Sequence, residues 1–186
     1  MKRFFLTALL VMVVPVRSFA GIAASAVISL TSSGTENQYS ATLKNTGTTT
    51  IGTFWYAWVP GKDFLLTSPI NIGSPANWDS FVTNNGGGDG YAIQWTADTS
   101  ADDLAAGSNL SGFSFQTTDT PSQLSGNSFY YPTEPVGTSF VYTDDIPLSG
   151  PSDQFVATVV APEPASLGLL AAAATLMLRR CSRKIA

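Results

Sequence analysis

Between residues 21 and 161 the side chains able to do chemistry are carboxylates and aromatic rings. Twelve Asp and Glu residues stand there against two cations, Lys44 and Lys62, so this span carries a net charge of −10 while the whole chain carries −4. The chain has no histidine, and its one cysteine, Cys181, lies close to the C-terminus. A Ser-His-Asp or Cys-His nucleophile is therefore impossible. No imidazole or thiolate in the span can hold zinc, copper or haem iron. Paired carboxylates can hydrolyse glycosides, but Glu36 and Glu134 are the only glutamates of the span. Neither stands in a recognisable acid–base setting, and the usual general base is missing. The reading is a protein that is not an enzyme and needs no cofactor.

Two further chemistries remain open. Asp98, Asp102 and Asp103 are weak candidates for calcium, as are Asp144 and Asp145, because calcium takes hard oxygen ligands from loops. Their spacing matches no EF-hand, and solvated turn acids are the plainer account. Trp78, Tyr130 and Tyr131 sit near loops and could stack on sugar rings, whereas aromatics at period two, such as Trp55, Trp58 and Trp95, read as core. The glycine-rich run from Asn84 to Gly90 has no lysine and no following helix to cradle phosphate, so it reads as an inter-strand loop. So acidic a span should avoid nucleic acid and anionic lipid.

The elements that must position these groups are strands. Tyr39, Ala41 and Leu43 alternate with Ser40, Thr42 and Lys44, the pattern of a half-buried strand. Asn45-Thr46-Gly47-Thr48 turns the chain, with Gly47 free to take positive φ. Thr53 to Val59 reads as one central strand, with Phe54, Tyr56 and Trp58 on one face and Trp55, Ala57 and Val59 on the other. Tyr91, Ile93 and Trp95 alternate cleanly, and Phe113 and Phe115 point inward from a strand over 110–117. Ala26–Leu30, Phe64–Thr67, Trp78–Thr83, Phe129–Tyr131, Ser139–Thr143 and Gln154–Val160 complete eight to ten short strands, with no sustained helical period. This predicts an all-β fold, an antiparallel β-sandwich of immunoglobulin or fibronectin type, with a jelly roll as the alternative.

The ends have different physics. Lys2 and Arg3 precede an apolar run from Phe4 to Val14, and Ser18-Phe19-Ala20 offers small residues to a signal peptidase. Residues 1–20 are therefore expected to be a signal peptide, cut after Ala20, with Ala24 or Ala26 as other possible sites. At the other end Pro162-Glu163-Pro164 precedes a 14-residue apolar run, 165–178, and then Arg179 and Arg180. As a helix that run spans roughly 21 Å, short of a bilayer core of about 30 Å. It suits a transient transmembrane helix with a cytoplasmic basic end as membrane stop. The domain between the two signals is 21–161.

The order Pro162-Glu163-Pro164-Ala165-Ser166, apolar helix, Arg179-Arg180 resembles the PEP-CTERM sorting signal, which covers residues 162–186 here. The resemblance implies export across the inner membrane, transient anchoring with the domain on the periplasmic side, and recognition by an integral-membrane exosortase. It further implies delivery to the cell surface or extracellular polysaccharide matrix, the tail acting as an address much as a GPI signal does. Short stretches of the domain, Tyr39–Pro60, Tyr91–Trp95, 104–115 and 138–142, resemble small proteins with this tail, for which no catalytic activity carries over. The leading expectation is a non-catalytic exported surface or matrix protein. The alternative is a module binding exopolysaccharide, and an extracellular hydrolase is a third reading.

Overall fold

The computed structural model describes residues 21–84, 88–144 and 150–161. The expected signal peptide and the whole sorting tail, with Pro162, Glu163, Pro164, Arg179 and Arg180, lie outside these residues. Among the described residues no helix is long and apolar enough to cross a membrane.

Alternation of apolar and polar side chains builds the strands. They are β1 (Ala24–Ser32), β2 (Asn37–Asn45), β3 (Thr53–Tyr56), β4 (Trp58–Val59), β5 (Lys62–Asp63), β6 (Ile70–Gly73) and β7 (Trp78–Thr83). After them come β8 (Ala92–Ala97), β9 (Asn109–Thr117), the one-turn helix α1 (Pro121–Leu124), β10 (Thr138–Tyr142), β11 (Ser152–Val156) and β12 (Thr158–Val160). One sheet has the order β12-β1-β2-β9-β6, the other β11-β10-β3-β8-β7, and β4-β5 form a separate ribbon. All pairs are antiparallel except β1 with β12, which is parallel.

The sheets pack face to face. Tyr39, Ala41, Leu43, Phe113 and Phe115 from the first meet Phe54, Tyr56, Ile93, Trp95 and Val141 from the second in one buried core. Phe113 lies edge-on to both Phe54 (5.6 Å) and Trp95 (5.2 Å), and Tyr56 meets Phe115 at 5.4 Å. Offset and edge-on pairs of this kind suit the ring quadrupole. This is the predicted two-sheet sandwich. β1-β2-β9-β6 opposite β11-β10-β3 reproduces the neighbour order of an immunoglobulin-type sandwich, with β7-β8 added beside β3.

Four local expectations are corrected. The strand predicted over 53–59 breaks at Ala57, whose φ is 58°. The alternation restarts there, so Trp58 joins Trp55 on the outer face, stacked at 4.2 Å, instead of entering the core with Phe54 and Tyr56. The strand predicted over 154–160 divides at Ala157, whose N–H donates to the Gly137 carbonyl (2.8 Å). β11 closes one sheet and β12 the other, and Gly137 is required because a Cβ there would lie 2.7 Å from the Ala157 carbonyl. Gly47 is absent from the positive-φ glycines. It is needed for close approach, since a Cβ would sit 2.5 Å from the Gly21 carbonyl. Phe64–Thr67 is not a strand but contributes a single bridge, Leu65 to Tyr91.

Candidate sugar-binding cavity beside the short helix

Thr120-Pro121-Ser122-Gln123 dictates the local structure on which the site is built. The Thr120 hydroxyl accepts from the Gln123 N–H (3.3 Å), and Gln123 Oε1 accepts from the Thr120 N–H (2.8 Å). This is a capping box, with Pro121 in the first turn where its missing N–H costs nothing. The helix lasts one turn and anchors itself with the buried Leu124. Gly126 continues the chain, its carbonyl accepting from the Val136 N–H (2.9 Å).

Residues 127–135 then form a closed loop. Asn127 and Pro135 make a β-bridge at its neck. Asn127 Nδ2 donates to the Pro132 carbonyl (2.7 Å), and the Ser128 N–H donates to that of Glu134 (2.8 Å). The Ser128 hydroxyl donates to the Phe64 carbonyl (3.1 Å), fastening the loop to the core. Lys62 pairs with Glu134 and lies over the Tyr131 ring, 5.1 Å from its centroid. Tyr131 also meets Phe64 edge-on at 5.5 Å. Its phenol is held above the ordinary range by desolvation and by the neighbouring Asp89 carboxylate. The sequence predicts a strand over Phe129–Tyr131; Pro132 and Pro135 lack the N–H groups a ladder needs, and the segment bends instead.

Between helix and loop opens a cavity of about 280 Å³. Phe64, Leu124 and Phe129 supply apolar wall; Asp119, Gln123 and Asn127 supply polar wall. Phe129 is 72% exposed, the most exposed large apolar side chain among the described residues, and Tyr130 braces it edge-on at 5.4 Å. Asp119 is buried. Its carboxylate accepts from the Thr67 N–H (3.3 Å) and hydroxyl (3.0 Å), while its main-chain carbonyl accepts from the Tyr39 phenol (2.8 Å). Burial raises the carboxyl above the usual carboxylate range, and the Thr67 bonds oppose that rise. The Tyr39 phenol is pushed up to about 12 by burial and by Asp119, and so stays a donor.

The predicted site residues fare differently. Tyr130 and Tyr131 lie in the same loop, Tyr130 against Phe129 and Tyr131 against Phe64 and Lys62. Trp78 does not join them. It is 5% exposed, edge-on to Phe113 at 5.5 Å, with its indole N–H on the Asp102 carbonyl (3.2 Å). That burial removes the face a sugar would need. Of the calcium candidates, Asp98, Asp102 and Asp103 belong to no group of three acidic, histidine or cysteine side chains that could hold a metal among the described residues. Asp102 accepts from Asn77 (2.8 Å) and Thr99 (2.6 Å), which lower its pKa. Asp103 accepts from Thr50 (3.0 Å), and the Asp98 N–H caps the Asn77 carbonyl (2.9 Å). These acids brace a loop, and Asp145 lies outside the described residues. The loop's exposed ring, Phe129, and the helix escape a strand-and-turn reading, although the capping box is a readable signal.

No family model matches the chain, and no curated protein does. Among solved structures it is similar to a GH20 exo-β-N-acetylglucosaminidase from Vibrio harveyi, at 13% identity and a TM-score of 0.42. That match covers 75% of this chain, which spans only 18% of the enzyme's length. It is similar to an uncharacterised protein of immunoglobulin-like fold from Nocardia farcinica, at 8% identity and a TM-score of 0.38, covering 71% and 98% of the two chains. It is also similar to a CBM3 module of Hungateiclostridium clariflavum, at 11% identity and a TM-score of 0.35, covering 77% and 99%.

Proposed function

We propose that this chain is an exported, non-catalytic module that binds extracellular polysaccharide. The observation that carries the reading is Phe129. A ring exposed at the rim of an apolar cavity suits the C–H face of a pyranose, and Gln123, Asn127 and Ser122 on the same wall suit its hydroxyls. The cavity volume, about 280 Å³, lies just below the range of ligand sites, about 300–1,000 Å³, room for one sugar ring with the rest of the chain outside.

The test is calorimetric titration of the full chain with soluble oligosaccharides, beside retention on insoluble polysaccharide. Phe129→Ala should weaken binding about tenfold, the loss of about 1.4 kcal/mol. Phe81→Ala, another exposed ring, outside the cavity, should leave binding unchanged. Equal losses in both variants, or none in Phe129→Ala, would reject the cavity as the site.

Delivery is the second part of the proposal. Residues 1–20 act as a cleaved signal peptide. Pro162-Glu163-Pro164 with the apolar run and Arg179-Arg180 address the chain to an exosortase in the inner membrane. The module then reaches the cell surface or matrix, where polysaccharide is abundant. The support is the sequence order of the terminal segments; intact mass of the protein from its host tests it.

A further inference from the structure

The cavity wall contains one ionisable residue, Asp119. A buried carboxylate is commonly matched by a cation, but Asp119 is held by the hydroxyl and N–H of Thr67 and by Thr117. Of the two cations in the domain, Lys62 is engaged with Glu134, and Lys44 lies on β2 away from the cavity lining. When Asp119 is ionised, no cation among the described residues stands in the wall to offset its charge. A ligand entering the cavity loses water and meets that charge at short range, where screening is weak.

We propose that the cavity selects its sugar by charge, the Asp119 carboxylate favouring protonated amino sugars, admitting neutral sugars and rejecting uronates. The proposal rests on the reading of this cavity as a sugar site. Asp119 is the specificity-determining residue; the Phe129 ring supplies affinity that is blind to charge. The groups facing Asp119 are the phenols of Tyr39 and Tyr56, both raised by burial and so neutral throughout the working range. Asp119 is thus the group whose protonation changes the charge of this wall.

The experiment titrates the full chain with three oligosaccharides of equal length: glucosamine, glucose and galacturonate. At about pH 6 the affinities should fall in that order, with glucosamine at least about tenfold above galacturonate, a gap of about 1.4 kcal/mol. Asp119→Asn should bring the three within about threefold while Phe129→Ala weakens all three alike. Near-ultraviolet circular dichroism checks that the variant keeps its core. A second measurement needs no variant. Burial raises the Asp119 pKa, so lowering the pH through the carboxylate range protonates Asp119 but leaves the amine charged, and the glucosamine-to-glucose ratio should fall. Galacturonate binding as tightly as glucosamine, or a preference unchanged in Asp119→Asn and at low pH, overturns the proposal while leaving a sugar site in place. Binding of none of the three sugars overturns the sugar site itself and the charge rule with it.

Discussion

The Lys62 ammonium and the Glu134 carboxylate meet across the gap between the β4-β5 ribbon and the 127–135 loop, with the Tyr131 ring beneath the cation. One of the domain's two cations is thus used to hold the loop that displays Phe129. Its partners are about a third exposed, so the pair itself contributes less than about 1 kcal/mol. Its larger role is to place a ring.

Removing that tie should separate placement from stability. Lys62→Met is expected to lower Tm by no more than about 4 °C. It should weaken oligosaccharide binding several-fold, most of it as faster dissociation, because the loop must then be ordered by the ligand. Lys62→Arg, which can keep both the ion pair and the ring contact, should restore much of the affinity. Surface plasmon resonance on the three proteins decides it; identical off-rates would show that the loop holds itself.

Tyr56 makes the opposite kind of prediction. Its ring is fully buried, and among the described residues its hydroxyl has no hydrogen-bond partner. Burying an unsatisfied hydroxyl costs about 1–3 kcal/mol, so Tyr56→Phe should stabilise the domain by about 1 kcal/mol. Tyr39→Phe, which deletes the 2.8 Å bond to the Asp119 carbonyl, should destabilise it by a similar amount. Urea melts of both variants give the signs directly.

How much of this was legible in the sequence follows from the range of the interactions. Tyr39, Ala41 and Leu43, Ile93 and Trp95, and Phe113 and Phe115 lie in the core as their alternation predicts, because period two is a local property of the backbone. The break at Ala57 is not local. An alanine at φ 58° has no sequence mark; it persists because Trp58 finds Trp55 outside the sheet and the Phe64 N–H finds the Ala57 carbonyl (2.9 Å). Trp78 shows the converse limit. Proximity to loops suggested exposure, but the loop carrying Asp102 folds back over its indole. Phe129 could not be told from a strand residue until the Asn127–Pro135 bridge closed its loop.

Close backbone approach at Gly47 predicts a local lesion. In Gly47→Ala the new methyl would press on the Gly21 carbonyl and the Ala23 nitrogen, both main-chain atoms. Overpacking of this kind costs about 1–3 kcal/mol. Hydrogen exchange should show the loss at the start of β1, where the Thr46 and Gly47 N–H groups bind the Ala23 carbonyl, and leave the cavity loop protected.

Asp119 gives the pH dependence. Its folded-state pKa is raised, so the folded domain holds that proton more tightly than the unfolded chain. Its contribution to stability is fully present below the ordinary carboxylate pKa and is lost as pH rises through the raised folded value. Asp119→Asn abolishes this term. In urea melts from about pH 3.5 to pH 7, the variant should gain on the wild type as pH increases. A difference that stays constant or runs the other way would show that the carboxyl is not penalised by its burial.

The most direct test of the central claim is calorimetric titration of the full chain, wild type and Phe129→Ala, with a panel of neutral and amino oligosaccharides. Saturable binding by the wild type, weakened about tenfold in Phe129→Ala with folding intact, is the result expected of a sugar-binding cavity beside α1. No heat with any sugar, or binding that the loss of the Phe129 ring leaves untouched, would contradict it.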